Sequence, residues 1–202
     1  MKLFYSPASP FARKVLVLAY ETGLIDQITP VACVLSPVAP NASVVEENPI
    51  GKIPTLLLDN GTALYDSRVI CEYLDELHEG KKMFPPAGSS RWETLTLQSL
   101  TDGILDAAVL IRYETYERSE QHQWREWIEN QKLKIFRSLA RIEKEIENLT
   151  GTLNIGVIGI GCVLGYLDFR FPDENWRNRC PKLAEWFLEF NQRTSMQSTR
   201  PH

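Results

Sequence analysis

Three short stretches of this chain carry groups of the kind that bind anions and peptides. The first is Ser6-Pro7-Ala8-Ser9-Pro10-Phe11. Ser9-Pro10 has the form of a helix start, because Ser is a favoured N-cap and Pro suits the first helical position. A helix N-terminus offers free N–H groups and the positive end of the dipole, so a serine hydroxyl there can donate to an anion such as a thiolate. Equally, Ser9 could do no more than cap the helix. The second stretch, Asp66-Ser67, also opens a helical pattern. It is either a plain cap or a pocket in which the hydroxyl and free N–H groups hold a carboxylate and Asp66 accepts from an ammonium.

The third stretch is Asn48-Pro49-Ile50-Gly51-Lys52-Ile53-Pro54-Thr55, followed by three leucines. Proline has no N–H and belongs at strand starts, edges or turns. Pro54 sits where a turn through Gly51-Lys52 gives way to an apolar strand. An X-Pro bond can be cis at modest cost, usually in a tight turn. A cis Ile53–Pro54 bond would turn the N–H and C=O of Ile53 outward, free to pair with a bound peptide as an added strand does. The alternative is an ordinary trans turn.

The elements that must position these stretches follow from the apolar pattern. Lys2–Tyr5 reads as a buried strand and Phe11–Thr22 as a helix with Phe11, Val15, Leu18 and Ala19 at helical spacing, stopped by Gly23. Ile28–Val34 reads as a second strand and Ser36–Glu47 as a polar connection. Thr55–Leu58 and Thr62–Leu64 form a hairpin about Asp59-Asn60-Gly61, before the helix that Asp66-Ser67 opens. The order βαβ then ββα predicts a small α/β layer on a mixed sheet. Beyond a linker of Gly, Lys and Pro over residues 80–87, only helical patterns follow: Trp92–Arg118, Trp124–Asn148, an apolar segment from Asn154 to Phe169, and Pro181–Asn191. The expected domains are therefore 1–79, α/β, and 88–202, all-α.

Composition narrows the class. A 202-residue chain that is 44% hydrophobic, 24% charged and of net charge -4 can bury a core, and its mild acidity argues against nucleic acid or anionic membranes as partners. Ser6-Pro7 breaks the apolar start too early for a signal peptide, and no uncharged run reaches membrane-spanning length, which predicts a cytoplasmic protein. Cys33, Cys71, Cys162 and Cys180 form no C-x-x-C pair and have no metal-ligand spacing with His78, His122 or His202, so free thiols and no metal site are expected.

Taken together and in order, Ser9-Pro10-Phe11 with Arg13-Lys14-Val15, the Asn48–Leu56 stretch, and Tyr65-Asp66-Ser67 with Ile70 and Glu72-Tyr73-Leu74 resemble the cytosolic glutathione transferases. Asp102-Gly103-Ile104-Leu105-Asp106-Ala107 and Gly165-Tyr166-Leu167-Asp168-Phe169-Arg170 make the chain similar to a bacterial, serine-type branch of that superfamily. The resemblance covers essentially the whole chain. It implies a thioredoxin-like N-terminal domain, an all-α C-terminal domain and a homodimer, with glutathione as co-substrate and no metal. The implied function is glutathione S-transfer to a small electrophile, as in detoxification. A non-catalytic, glutathione-binding regulatory protein of the same fold is the alternative.

Carried over by residue, the resemblance implies a cis Pro54 with Ile53 pairing with the cysteinyl backbone. It implies Asp66 and Ser67 on the γ-glutamyl group and Lys52 assisting at a carboxylate. Ser9 is the expected thiol-activating group, with Tyr5 at the end of the first strand as competitor. Phe11, Asp106, Arg112 and Tyr113 are candidates for the electrophile pocket between the domains, with Asp102 a further charge on the same helix. Ser6 and Ser9 stand where a redox relative has Cys, which argues against disulfide reduction. At Asn154-Ile155-Gly156-Val157, Val157 replaces an acidic capping partner, so Asn154 is expected to cap alone. Gly156, Gly159, Gly161 and Gly165 each weaken that helix by up to ~1 kcal/mol. Burial and close packing are expected to rescue it, with Cys162 in the core.

Overall fold

The computed structural model describes residues 1–202. A four-stranded mixed sheet forms from β1 (Lys2–Tyr5), β2 (Thr29–Ala32), β3 (Thr55–Leu57) and β4 (Ala63–Leu64), in the order β2-β1-β3-β4. β1 runs parallel to β2 across the crossover helix α1 (Pro10–Glu21), and antiparallel to β3, which pairs antiparallel with β4. Leu3 and Leu56 are fully buried at the centre of the sheet. Helix α3 (Ser67–Glu76) packs beside α1, burying Ile70, Cys71 and Leu74. The segment read as a polar connection contains a short helix, α2 (Ala42–Glu47), capped by Asn41 through the Val44 N–H. Only Val44 of α2 is buried, too little apolar periodicity to mark it in sequence.

The second half is helical: α4 (Gly88–Tyr116), α5 (Arg125–Leu149), α6 (Ile155–Arg170), α7 (Trp176–Arg179), α8 (Pro181–Phe190) and α9 (Thr194–Ser198). α4 starts four residues before the Trp92 expected from the first apolar position, because a helix's opening turn needs no apolar residue. α7 and α9 are too short to carry a period and were not anticipated. α4 is long and apolar enough to cross a membrane, yet more than half of that stretch is buried inside the bundle. The connection between the halves is anchored rather than loose. Asp75 accepts from the N–H groups of Met83 and Phe84 at 2.7 and 3.0 Å, and both side chains are buried.

α6 is the inner helix, buried from Ile155 through Leu167. Asn154 caps it alone through the Val157 N–H at 3.1 Å. Its glycines are the places where neighbours press against its backbone. A Cβ at Gly156 would stand 2.8 Å from Leu97, one at Gly159 2.3 Å from Thr101, one at Gly161 2.4 Å from Phe190, and one at Gly165 2.1 Å from Arg13. The low intrinsic propensity of four glycines is thereby exchanged for contact with α4, α8 and α1. Cys162 is fully buried in the same core.

α1 joins the two halves. Lys14 is fully buried and its ammonium lies 2.5 Å from Asp102 of α4. Arg13, also buried, donates to the Met196 carbonyl and the Thr199 hydroxyl. At the far end of α1, Glu21 meets Arg193 at 2.6 Å and Ser195 at 2.5 Å. The last helix therefore packs back onto the first.

Candidate functional site

Strand register alone gathers the three sequence stretches. β1 and β3 pair Phe4 with Thr55, the last pair of that ladder, so the same register carries Tyr5 and Ser6 toward Pro54 and Ile53, one and two steps on. β3 and β4 pair Leu56 with Leu64, so two steps further Asp66 reaches Pro54. The end of β1, the start of β3 and the end of β4 thus share one edge of the sheet. From that edge α1 and α3 begin.

The Ile53–Pro54 peptide is cis, and the N–H and C=O of Ile53 make no hydrogen bond within the chain. A buried polar knot holds them out. The Asn48 amide donates to the Lys52 carbonyl at 3.0 Å and to the Thr55 hydroxyl at 3.1 Å, and that hydroxyl donates to the same carbonyl at 2.9 Å. Asn48 Oδ1 also accepts from the Ile50 N–H, and Gly51 completes the turn at φ +67°, where a side chain is disfavoured. Sequence reasoning gave Asn48 and Thr55 no role; the turn-forming Asn-Pro-x-Gly run was the available signal. The Lys52 ammonium is exposed and without an ion-pair partner.

Ser9 is the N-cap of α1. Its oxygen accepts from the Ala12 N–H at 3.2 Å, leaving the hydroxyl proton free to donate outward. Ser6 closes the preceding turn by accepting from the Ser9 N–H at 2.9 Å. Tyr5 is half-buried against the core, and its hydroxyl makes no hydrogen bond within the chain. Phe11, at the second position of α1, is likewise packed against the core.

At α3, Ser67 is buried and its hydroxyl has no partner. Asp66 caps the helix through the Arg68 N–H at 2.9 Å, and the Arg68 guanidinium grips the same carboxylate at 2.8 Å. Hydrogen bonds from Arg68 hold the Asp66 carboxyl below the usual carboxylate range. Arg68 was not anticipated. An ammonium arriving at Asp66 must share the carboxylate with it.

Helix α4 supplies the opposite wall, and its charges divide. Asp102 is not a pocket group, because it is buried and held by Lys14. Asp106, one turn on, is exposed; burial of its carboxyl and then the charge of Asp102 push its pKa up, while Lys52 and Arg68 oppose. The Arg112 guanidinium carbon sits 3.6 Å from the centroid of the Tyr116 ring, and Tyr113 is partly exposed, its hydroxyl pushed up by burial and by Glu117.

The thiols are poor nucleophiles. Burial pushes Cys71 up to about 12 and Cys162 and Cys180 up to about 11, and raises the half-buried Cys33. A cavity of about 690 Å³ lies away from the sheet edge, between the linker, the start of α4 and the end of α5. Its Lys82 ammonium is already bound to the carbonyls of Asp75 and His78, and no cluster of reactive groups faces it.

Comparison with known proteins identifies this architecture. Residues 8–77 match the family model of the glutathione S-transferase N-terminal domain and residues 125–189 that of the C-terminal domain. The chain belongs to the glutathione S-transferase family. It is similar over its whole length to the uncharacterized GST-like protein YibF of Escherichia coli K12, at 31% identity across 98% of that protein. It is also similar to a glutathione transferase family member from Pseudomonas fluorescens Pf-5 solved with bound glutathione. That structure shares 51% identity at a TM-score of 0.98, covering 100% of this chain and 98% of the other. A second Pseudomonas fluorescens Pf-5 structure, with bound S-(propanoic acid)-glutathione, shares 49% identity at a TM-score of 0.93, covering 100% of both chains.

Proposed function

We propose that this protein is a glutathione S-transferase that binds the tripeptide along the sheet edge and activates its thiol for attack on a small electrophile. One observation carries the reading most: unpaired polar groups of Ile53 and Ser67 share an edge with the outward hydroxyl of Ser9. The cysteinyl backbone pairs with the N–H and C=O of Ile53. Ser67 and the α3 N-terminus take the γ-glutamyl carboxylate, Asp66 takes its ammonium, and Lys52 assists at a carboxylate. The neighbours solved with glutathione and with a glutathione thioether support the same ligand class here.

Ser9 then donates to the sulfur, with the α1 dipole behind it. A free thiol of pKa about 8.5 is only roughly 3% ionised at pH 7. Lowering it by about two units supplies ~2.7 kcal/mol of preference for the thiolate. The thiolate attacks an electrophilic carbon and forms a C–S bond, while a leaving group departs or an activated double bond takes up a proton. Ser9 is a donor and forms no covalent intermediate. Tyr5 is the competing donor. Phe11, Asp106, Arg112 and Tyr113 line the acceptor side. The working protein is a cytoplasmic homodimer, its domains spanning 1–79 and 88–202, acting in detoxification without a metal.

Calorimetric titration with glutathione and S-methylglutathione tests the site. Binding of both, with the free thiol tighter, supports activation of the thiolate; binding of neither overturns the reading. Glutathione binding without turnover across an electrophile screen would instead favour the regulatory alternative.

A further inference from the structure

Arg112 and Arg170, like the buried Arg13, lack carboxylate partners, and unlike Arg13 neither donates to a carbonyl or hydroxyl of the C-terminal helix. Other arginines of partial burial in this chain are paired: Arg91 with Glu72, Arg177 with Asp168 and Arg193 with Glu21. Arg112, near the end of α4, has its guanidinium carbon 3.6 Å from the Tyr116 ring centroid, and its donors make no hydrogen bond or ion pair within the chain. Arg170, at the end of α6, lies 4.0 Å over the Phe169 ring, and its Nε is buried with no hydrogen-bond partner. A buried guanidinium N–H left unsatisfied costs free energy unless something arrives to accept from it.

Two tyrosines complete the group. Tyr166, one turn before Arg170, is 4% exposed, and the charges of Arg170 and Arg112 and the Tyr113 hydroxyl all act on it. Burial pushes its pKa up to about 12 and raises that of Tyr113 as well, so both remain protonated donors near neutral pH. The cluster therefore consists of two guanidinium and two hydroxyl donors. Nearby acids are committed elsewhere: Asp168 to Arg177 and the Trp176 N–H, Glu114 to Arg118. Glu117 stands at the exposed C-cap of α4.

The cluster also has a position relative to the thiol site. Tyr113 lies seven residues beyond Asp106 on the same face of α4, about 10 Å further along the helix. Gly165, one residue before Tyr166, packs on Arg13, one turn beyond Ser9 in α1. Tyr113 thus continues the face of α4 that carries Asp106, on whose carboxyl the charges of Lys52 and Arg68 act.

We propose that Arg112 and Arg170, with the hydroxyls of Tyr113 and Tyr166, form a carboxylate subsite that selects electrophiles bearing an anionic carboxylate. This inference rests on the transferase reading and names its substrate class. A planar carboxylate accepts in bidentate fashion from a guanidinium, so the fork geometry of arginine provides discrimination against neutral isosteres.

The test compares two thioethers that differ only at the tail, S-(2-carboxyethyl)glutathione and S-propylglutathione, by calorimetry on the intact protein. The carboxylate conjugate should bind at least tenfold tighter. Arg112→Gln and Arg170→Gln should each remove most of that preference, with glutathione affinity unchanged within about twofold. Arg170→Lys guards against a folding defect in Arg170→Gln, and should keep part of the preference through its charge. Equal affinity of the two conjugates for the wild type, or a preference that survives both Gln substitutions together, overturns the subsite. If glutathione and both conjugates bind but the two conjugates are not distinguished, the transferase reading stands and only the subsite falls. Failure of glutathione itself to bind overturns both.

Discussion

The sheet edge and the α4–α6 contact are built on opposite rules. At the edge, Ile53 and Ser67 carry polar groups with no partner in the chain, and the Ser9 hydroxyl proton points away from its own cap. Between α4 and α6, side chains press directly on glycine backbone, and the buried charge of Lys14 beneath is matched by Asp102. The difference teaches where function resides. The packed interior leaves few polar groups unpaired, Arg13 Nη1 and Gln98 Nε2 among them, because each unsatisfied buried group costs on the order of 1–3 kcal/mol. A binding edge keeps such groups for its ligand, and a neighbouring rigid structure supports them.

If that contrast holds, substitutions in the two regions should fail in different assays. The largest effect is expected from Asp102→Ala. It leaves Lys14 charged and fully buried, and should cost about 3–5 kcal/mol in urea unfolding. Retained stability would mean that the ammonium finds another partner. Ser9→Ala comes next, in the other assay: turnover should fall up to about a hundredfold, corresponding to the ~2.7 kcal/mol assigned to thiolate stabilisation. Glutathione affinity should change little. Normal turnover in Ser9→Ala alongside an inactive Tyr5→Phe would transfer the role to Tyr5.

Gly161→Ala tests the packed side directly. Its new methyl would meet the Phe190 ring at 2.4 Å, and overpacking of this kind costs about 1–3 kcal/mol even after the helix-propensity gain. An unchanged urea midpoint would show that Phe190 has room to move. Ser67→Ala should weaken glutathione about tenfold, the worth of one good hydrogen bond to a charged group, with no loss in the unfolding midpoint.

The smallest effect concerns pH. Hydrogen bonds from Arg193, then from Ser195, hold the Glu21 carboxyl below its ordinary value. A depressed carboxyl adds stability that is present above the unfolded value, near 4.3, and is lost as pH falls through the folded one. Glu21→Gln should therefore flatten the acid limb of a stability–pH curve and detach α9 first, visible as faster amide exchange over Thr194–Ser198.

Much of this was legible along the chain, for identifiable reasons. Ser9-Pro10, Asp66-Ser67 and Ile53-Pro54 announce themselves because caps and prolines act on their immediate neighbours, so their meaning is carried within a few residues. The apolar periods of α1, α3, α5 and α8 are likewise local. The role of Asn48 was less visible, since a buried amide that bridges Lys52 and Thr55 reads in sequence as an ordinary turn residue. Arg68, Tyr166 and Arg170 were harder still, as polar residues on helical segments look alike whether they face solvent or a site.

By itself, the sequence determined the four strands, the longer helices, their order and the three stretches that meet at the sheet edge, but not the short helices α2, α7 and α9, because local backbone preferences and apolar spacing are properties of neighbouring residues. Only the tertiary structure decided which charges are spent and which are free. Asp102 is consumed by Lys14, while Arg112 and Arg170 are left open. A charge's partner can lie 88 residues away, as for Lys14 and Asp102, and only the packing of α1 against α4 and α6 brings such groups within reach.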